Sequence, residues 1–290
     1  MTSPYAPLFE KFFFRTTAVF SGTYCSGIHS LREHNSGFVH FIRSGNAEIK
    51  IPGKPTILVS EPSLVFFPRP HSHSIRAVDA AGINMFCARV LFNSVKTNPV
   101  ALSFPDELVV PLRELPNTTP ILSILFAEAE DQNLSHDTVL NNLCVVLLVQ
   151  MTRYLIDSGC ITYGALAGLG DRRIAVALTT IHTQYANVIV LDDLAQMSGM
   201  SRTRFAAHFK TVVGQTPFEY LVAYRIGVAQ NLLLSGHPIK YIATDVGYES
   251  ASAFNRQFKS LTGTTPREWR SQAVSSGYIA GITNISKLSE

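Results

Sequence analysis

The sequence predicts an α+β chain of two domains: an N-terminal antiparallel β-barrel with a helical extension, and a C-terminal all-α domain carrying two helix-turn-helix units. Three observations predict it. Short runs rich in Val, Ile and Phe recur between Gly and Pro turn signals from about residue 15 to 95. From about residue 117 the apolar spacing becomes helical. GMSRTRFAAHFK at 199–210 then returns, little changed, as GYESASAFNRQFK at 247–259. At 290 residues, with 46% apolar and 16% charged residues, the chain has the length for two cores and a globular composition.

The β runs are FVHFIRSG, AEIKIPGK, PTILVSEP, SLVFFPRP and INMFCARVLF. Their even spacing suits a small barrel or sandwich, assigned to residues 1–115. A helical pattern opens at Pro120 after PNTT, and a longer one covers about 137–157, with Leu140, Cys144, Leu147, Leu148, Met151 and Leu155 at helical spacing. These dimerisation or linker helices occupy 116–158. The small-residue stretch within SGCITYGALAGLG reads as a linker at 159–170, the helical domain spans 171–272, and 273–290 is a tail.

FEKFFFR is too short and too charged for a secretory leader, and LCVVLLVQM at 143–151 is too short to span a bilayer. A cytoplasmic protein without a membrane partner is expected, its four cysteines thiols rather than disulfides. Lys and Arg number 12 against 13 Asp and Glu over residues 1–170, but 11 against 7 over 171–272. The positive excess lies where a polyanion would be met.

The repeat extends backwards from the quoted stretches. Leu191, Leu194, Ala195, Ser198 and Gly199 align with Ile239, Ile242, Ala243, Val246 and Gly247. Each set describes a short helix with a small Ala for close crossing, ended by a Gly suited to a left-handed turn. Phe205 and Phe209 align with Phe254 and Phe258, an i, i+4 pair facing the first helix, and TVVGQTP aligns with SLTGTTP. Helix, Gly turn, helix is the helix-turn-helix geometry. With the phenylalanines inward, Arg202, Thr203, Ala206, Ala207 and Lys210 point outward from one unit, and Ala251, Ser252, Asn255, Arg256 and Lys259 from the other. Asn and Arg can read base edges, and Lys or Arg near a helix end can hold phosphates.

From DRRIAVALTTI through DVGYESASAFNRQFKSLTGTTPREWR, about a hundred residues, the chain resembles the DNA-binding domain of AraC/XylS transcription regulators. Gly247, Tyr248, Phe254, Phe258, Gly263, Pro266 and Trp269 fall where that family has such residues. The resemblance implies two helix-turn-helix units joined by a long helix at about Thr216–Ser235, with recognition helices entering successive major-groove segments on one face of double-stranded DNA. It carries base-contact roles onto Thr203, Ala206, Ala207, Ala251, Ser252, Asn255 and Arg256. The alanines depart from the pattern and leave the first unit fewer reading groups. A homodimer, RNA polymerase as partner and action as an activator complete what is implied.

FVHFIRSGNAEIKI and PRPHSH resemble the two cupin segments of one branch of that family, with Pro68 and His73 at matching positions and Pro70 where Gly is usual. The first segment lacks the His-x-His and Glu of metal cupins and keeps only His40, so no enzymatic activity is expected. His40 and His73 converging in a barrel, with Cys25 and Cys87 on flanking strands, would suit a soft transition metal such as Zn. Oxidation of the same thiols is the other chemistry open to Cys25 and Cys87, and their placement resembles RclR-type activators, which respond to reactive chlorine species. A bland reading stands beside these, in which Cys87 within INMFCARV is core, as Cys144 is on its helix. Cys160 is reactive through exposure. His29, His34 and His71 are expected in exposed loops, with His71 an alternative to His73. A small organic ligand in the barrel, or a metal-dependent cupin enzyme fused to a DNA-binding domain, are the rival functions.

Overall fold

A computed structural model of the chain describes residues 3–12, 14–24, 29–31, 36–92, 96–115, 117–131 and 134–275. In chain order the first elements are α1 (Ala6–Lys11), β1 (Arg15–Tyr24), β2 (His29–Leu31), β3 (Gly37–Ser44), β4 (Ala47–Lys50), β5 (Ile57–Val59), β6 (Ser63–Phe67), β7 (His73–Ala77) and β8 (Ile83–Leu91). There follow α2 (Pro99–Ser103), β9 (Leu108–Pro111), α3 (Thr119–Asp131), α4 (His136–Asp157), α5 (Gly164–Gly170), α6 (Ile174–Gln184) and α7 (Leu191–Met197). The last are α8 (Arg202–Val213), α9 (Pro217–Leu234), α10 (Ile239–Asp245), α11 (Ala251–Thr262) and α12 (Pro266–Ser275). They divide into two compact units: Phe14–Phe92 with Phe104–Ile161, and Met1–Phe13, Asn93–Ser103 and Thr162–Glu290.

In the first unit the described strands form two open sheets, β1-β8-β3-β6-β9 and β2-β7-β4-β5. The expected barrel is therefore a sandwich, because no strand of one sheet hydrogen-bonds to the other. Alternation along β3 turns Phe38, His40 and Ile42 to one face. Phe38 and Ile42 join Ile49, Phe67, Ile75 and Met85 in the core, each at most 1% exposed, and each such side chain contributes about 1.5–3 kcal/mol by leaving water.

Edge strand β1 is covered by α4, whose Leu140, Cys144, Leu147, Leu148, Met151 and Leu155 are buried as the spacing predicts. At the irregularity between Ala18 and Phe20 the side chain of Asn141 accepts the Ala18 N–H at 2.9 Å, and Thr16 Oγ1 donates to the Asn141 carbonyl at 2.7 Å. α4 is long and apolar enough by composition to cross a membrane, but its apolar stripe is taken by β1 and α3.

In the second unit the sequence repeat is a structural one. α7 and α10 have 7 residues each, α8 and α11 have 12 each. Gly199 and Gly247 both have positive φ, +63° and +84°, and Met200 N donates to Ala195 O at 3.0 Å as Tyr248 N does to Ala243 O at 2.8 Å. Gly214 and Gly263 close the second helices at φ +84° and +83°. Thr216 with Glu219 and Thr265 with Glu268 then form matching reciprocal caps on α9 and α12. The backbone N–H of each threonine holds its glutamate carboxyl below the ordinary range.

The long helix runs Pro217–Leu234, with Thr216 and Ser235 as its caps. The stretch expected as a linker is instead partly helix: α5 buries Ala165, Leu166 and Leu169. Its small residues serve close approach rather than flexibility, since a Cβ on Gly168 would stand 2.6 Å from Leu178 Cδ1.

The turns differ in one respect that can be measured. A Cβ on Gly199 meets nothing within 4 Å, whereas one on Gly247 would stand 2.5 Å from the Ala186 carbonyl oxygen. Gly199→Ala should cost about 1–2 kcal/mol for the left-handed backbone alone, and Gly247→Ala clearly more; equal losses in urea unfolding would contradict this. His182, on α6, is held neutral by burial, its pKa lowered to about 3. The unfolded state therefore binds more protons below its own pKa near 6.5, and stability should fall by up to about 1.4 kcal/mol per unit as pH drops from about 6.5 towards 3. His182→Gln should flatten that slope in unfolding measured across pH; an unchanged slope would remove His182 as its source.

Candidate nucleic-acid interface and buried thiol cluster

Phe205, Phe209, Phe254 and Phe258 are each at most 1% exposed. The rings pair within each helix at 5.7 Å and 5.6 Å, with interplanar angles of 60° and 63°. This orients the opposite faces. Arg202, Thr203, Ala207 and Lys210 on α8 are exposed and Ala206 half-buried; Ala251, Ser252, Asn255, Arg256 and Lys259 on α11 are all exposed. Nine of the ten expected residues are thus exposed, and Ala206 only in part. The structure adds Arg204 and Gln257, which are also exposed and which the i, i+4 alignment alone did not select.

The two helices differ in how they are held. Arg202 Nη1 lies 3.3 Å from Asp192 Oδ2 at the surface, and His208 is turned back to Asp171 at 2.8 Å, so part of the α8 polarity is engaged by neighbouring carboxylates. Two backbone N–H groups, of Ile174 and Arg173, hold the Asp171 carboxyl below its ordinary range against its partial burial. On α11, Ser250 caps the helix by accepting the Ala253 N–H at 3.2 Å. Asn255 and Arg256 follow one turn later, so the helix that exposes Asn and Arg side by side is also the one with a side-chain cap.

The sandwich contains a second constellation. His40 on β3 is paired in register with Cys87 on β8, and His73 projects from β7 of the opposite sheet. His40 Nδ1 is 3.0 Å from Cys87 Sγ, His40 Nε2 is 2.8 Å from His73 Nε2, and His73 Nδ1 is 3.2 Å from the His71 carbonyl. All three side chains are at most 3% exposed. A carbonyl can only accept, so His73 carries its proton on Nδ1. With both rings neutral, His40 then donates from Nε2, and its Nδ1 accepts from the Cys87 thiol. Phe38 stacks on His40 and Phe67 on His73. Burial pushes the Cys87 thiol well above its ordinary pKa.

This arrangement departs from the expected tetrahedral metal site. Cys87 and His73 sit at opposite nitrogens of one imidazole, so no single ion can be bound by His40 together with both. Among the described residues no group of three or more His, Cys, Asp or Glu is placed to hold a metal. Cys25 and His34 lie outside the described residues. His29 is in strand β2 rather than a loop, and His71 is half-buried against Phe67 at a ring separation of 5.7 Å. Cys144 is core and Cys160 exposed, as expected.

A cupin family model matches residues 8–157, just over half of the chain, and a helix-turn-helix domain model matches residues 194–272. An AraC-like transcription regulator of Streptomyces lividans is 38% identical over 149 residues, 49% of this chain and 49% of that protein. The chain belongs to the AraC family of transcription regulators, with a cupin N-terminal domain. An HTH-type transcriptional regulator of Haemophilus influenzae is 27% identical over 267 residues, 83% of this chain and 88% of that one. The RCS-specific HTH-type transcriptional activator RclR of Escherichia coli (strain K12) is 23% identical over 236 residues, 80% and 83% of the two chains. The chain matches about half the length of the Streptomyces relative. These AraC-family relatives are named as regulators and not enzymes, in line with the incomplete cupin ligand set.

Burial and protonation together set the order of thiol reactivity. Alkylation of the native protein should modify Cys160 first and leave Cys87 and Cys144 unlabelled until denaturant is added. Rapid native labelling of Cys87, read by peptide mass spectrometry, would contradict the buried hydrogen-bonded thiol.

Proposed function

We propose that this protein is a cytoplasmic, sequence-specific DNA-binding transcription regulator, acting as an activator, whose cupin sandwich senses an oxidant. One observation supports the DNA-binding reading most: two helix-turn-helix units of matching length, turn geometry and C-terminal glycine caps expose polar and basic faces on their second helices. A pair so spaced suits two major-groove segments of one duplex. α11 is the base reader through Asn255 and Arg256. α8, with Thr203 between alanines and basic residues, contacts thymine methyls and positions the backbone.

The signal reading rests on the Cys87–His40–His73 chain and on the name of the RclR relative. An oxidant of the hypochlorous acid class would convert the thiol to a sulfenic acid and leave as chloride, while the thiol proton departs through His40 Nδ1. The interior is filled by side chains such as Phe38, Ile49 and Phe67, which favours a change at the sulfur over an organic ligand seated between the sheets. Cys25 is the candidate second thiol. A homodimer and contact with RNA polymerase belong to the same proposal.

Arg256→Ala should weaken binding to a selected duplex by about 1–3 kcal/mol and relax preference at one base. Lys259→Ala should weaken all sequences alike. Wild-type affinity should fall roughly a thousandfold between 50 and 200 mM salt if about six phosphates are neutralised. A flat salt profile in fluorescence anisotropy, with Arg256→Ala binding as wild type, would overturn the DNA reading. Retained response to hypochlorous acid in both Cys25→Ser and Cys87→Ser would overturn the thiol reading alone.

A further inference from the structure

A sulfenic acid at Cys87 is not an end product. Such a group condenses with a thiol to a disulfide or with a nitrogen to a sulfur–nitrogen bond, and the surroundings of Sγ decide which. Among the described cysteines, Cys160 is exposed and Cys144 belongs to α4, outside the core cluster that contains Cys87. The other members of that cluster are hydrocarbon side chains and the Met85 thioether, so none of them carries a nucleophilic nitrogen.

One nitrogen does stand against the sulfur. His40 Nδ1 is 3.0 Å from Cys87 Sγ, a separation of the roughly 3–3.5 Å from which two atoms react with little further motion. Two strands set that distance and no loop does, because His40 and Cys87 are register partners of β3 and β8. Since His73 Nδ1 donates to the His71 carbonyl, His40 presents its lone pair to the sulfur from Nδ1 and its proton to His73 from Nε2, 2.8 Å away. The nucleophilic nitrogen thus faces the sulfur, and the removable proton faces a base. Water is the competing nucleophile, able to hydrolyse a sulfur–nitrogen bond. Phe38 stacked on His40 and Phe67 on His73 keep it away, and all three reacting side chains are at most 3% exposed.

We propose that oxidation of Cys87 ends in a covalent bond between Cys87 Sγ and His40 Nδ1, with His73 accepting the displaced ring proton. This deepens the oxidant reading of the sandwich and rests on it. Hypochlorous acid first turns the thiol into a sulfenic acid and departs as chloride; sulfur loses two electrons, chlorine gains them, and the thiol proton moves to His40 Nδ1. That proton then passes to the sulfenic oxygen, the S–O bond breaks and water leaves. The freed Nδ1 lone pair forms the S–N bond, and the ring gives its Nε2 proton to His73 Nε2. One thiol, two neutral imidazoles and one hypochlorous acid thereby become the S–N link, one imidazolium, one chloride and one water. Two molecules of an added thiol reverse the link, restoring Cys87 and His40 and leaving as a disulfide.

The link acts on both sheets. It ties β3 to β8 covalently, and it reverses the hydrogen bond between the imidazoles, because His73 Nε2 now donates to His40 Nε2. A positive charge then stands on β7 of the opposite sheet, beside an apolar core where charge is costly. The resting cluster is neutral, whereas the linked one is charged, so one oxidation event changes covalent connectivity in one sheet and electrostatics in the other.

The experiment is mass spectrometry of the full-length chain, sprayed intact from native solution and fragmented without digestion, before and after equimolar hypochlorous acid. Every protein carries Cys160→Ser, so that the exposed thiol does not consume the oxidant, and three are compared: that background alone, with Cys25→Ser, and with His40→Gln. Cys25→Ser closes the route to a Cys25–Cys87 disulfide and leaves the imidazole cluster native. It should lose about 2 Da within residues 40–87, show no Cys87 thiol on alkylation in denaturant, and recover fully with dithiothreitol. His40→Gln should instead gain about 16 Da at Cys87, as a sulfenic acid that dimedone traps on unfolding. A gain of about 16 Da at Cys87 in the Cys25→Ser chain, or a loss of about 2 Da that survives His40→Gln, would overturn the S–N link. So would a Cys87 joined to Cys25 in the background protein and unmodified in Cys25→Ser. If His40→Gln fails to fold, the Cys25→Ser chain still decides by whether the link is present. A Cys87 thiol left intact by the oxidant in both the background and Cys25→Ser would remove the oxidant reading itself, and the link with it.

Discussion

Everything in the helical unit depends on α9 being buried on most sides. Twelve of its 18 residues are buried, Gln230 among them, and a helix apolar around its circumference is stable only as the centre of a core. That constraint joins the two helix-turn-helix units: α8, α10, α11 and α12 all pack against it. The inward aromatic pair of each unit reaches a further ring one element later, Phe209 to Tyr220 and Phe258 to Trp269, at 5.9 Å and 6.1 Å. His182 closes the cluster, bonded to the Tyr220 hydroxyl at 2.7 Å and stacked on Tyr224. A neutral imidazole suits that place because its ring fills apolar space while Nε2 finds a partner. Recognition helices set on such a spine have little freedom to change their spacing independently.

The sandwich solves a different problem, that of keeping polar atoms inside an apolar core. The chain from Cys87 through His40 and His73 to the His71 carbonyl links these heteroatoms in one direction. Satisfied in this way, buried polar groups specify a single arrangement, and altering one of them disturbs the rest. A sulfenic acid at Cys87 would add an oxygen where His40 now accepts a proton, among side chains that are fully buried. The same closure that makes the thiol inert in the resting protein makes a modification there consequential for β8.

Much of this was legible in the residues, for reasons that differ by element. The repeat could be read because two stretches under the same geometric demands carry the same punctuation, Gly199 with Gly247 and Gly214 with Gly263. The long helix at about Thr216–Ser235 came with the family resemblance, and α9 has those two residues as its caps. The nine exposed residues of the two faces followed from placing four phenylalanines inward; Ala206 is exposed only in part. What could not be read depended on partners distant in sequence. Small residues at 164–170 signal flexibility until Leu178 and Ser103 are seen against Gly168 and Gly164. Alternating strands announce a barrel or a sandwich alike, and only pairing decides. His40, His73 and Cys87 were found as a group, but not that one imidazole lies between the other two. Residues 3–12 and 96–103 gave no local signal that they join the helical unit, since Phe12 and Thr97 meet it only at the distant Gly227.

The central claim is that α9 holds two recognition helices at a fixed separation so that one molecule reads two major-groove segments. Hydroxyl-radical footprinting of the protein on a duplex it selects tests this most directly. The account predicts two protected segments on one face of the DNA, centred about one helical turn, roughly 10 bp, apart for each bound molecule. A single protected segment per molecule, or two whose separation varies from site to site, would contradict it.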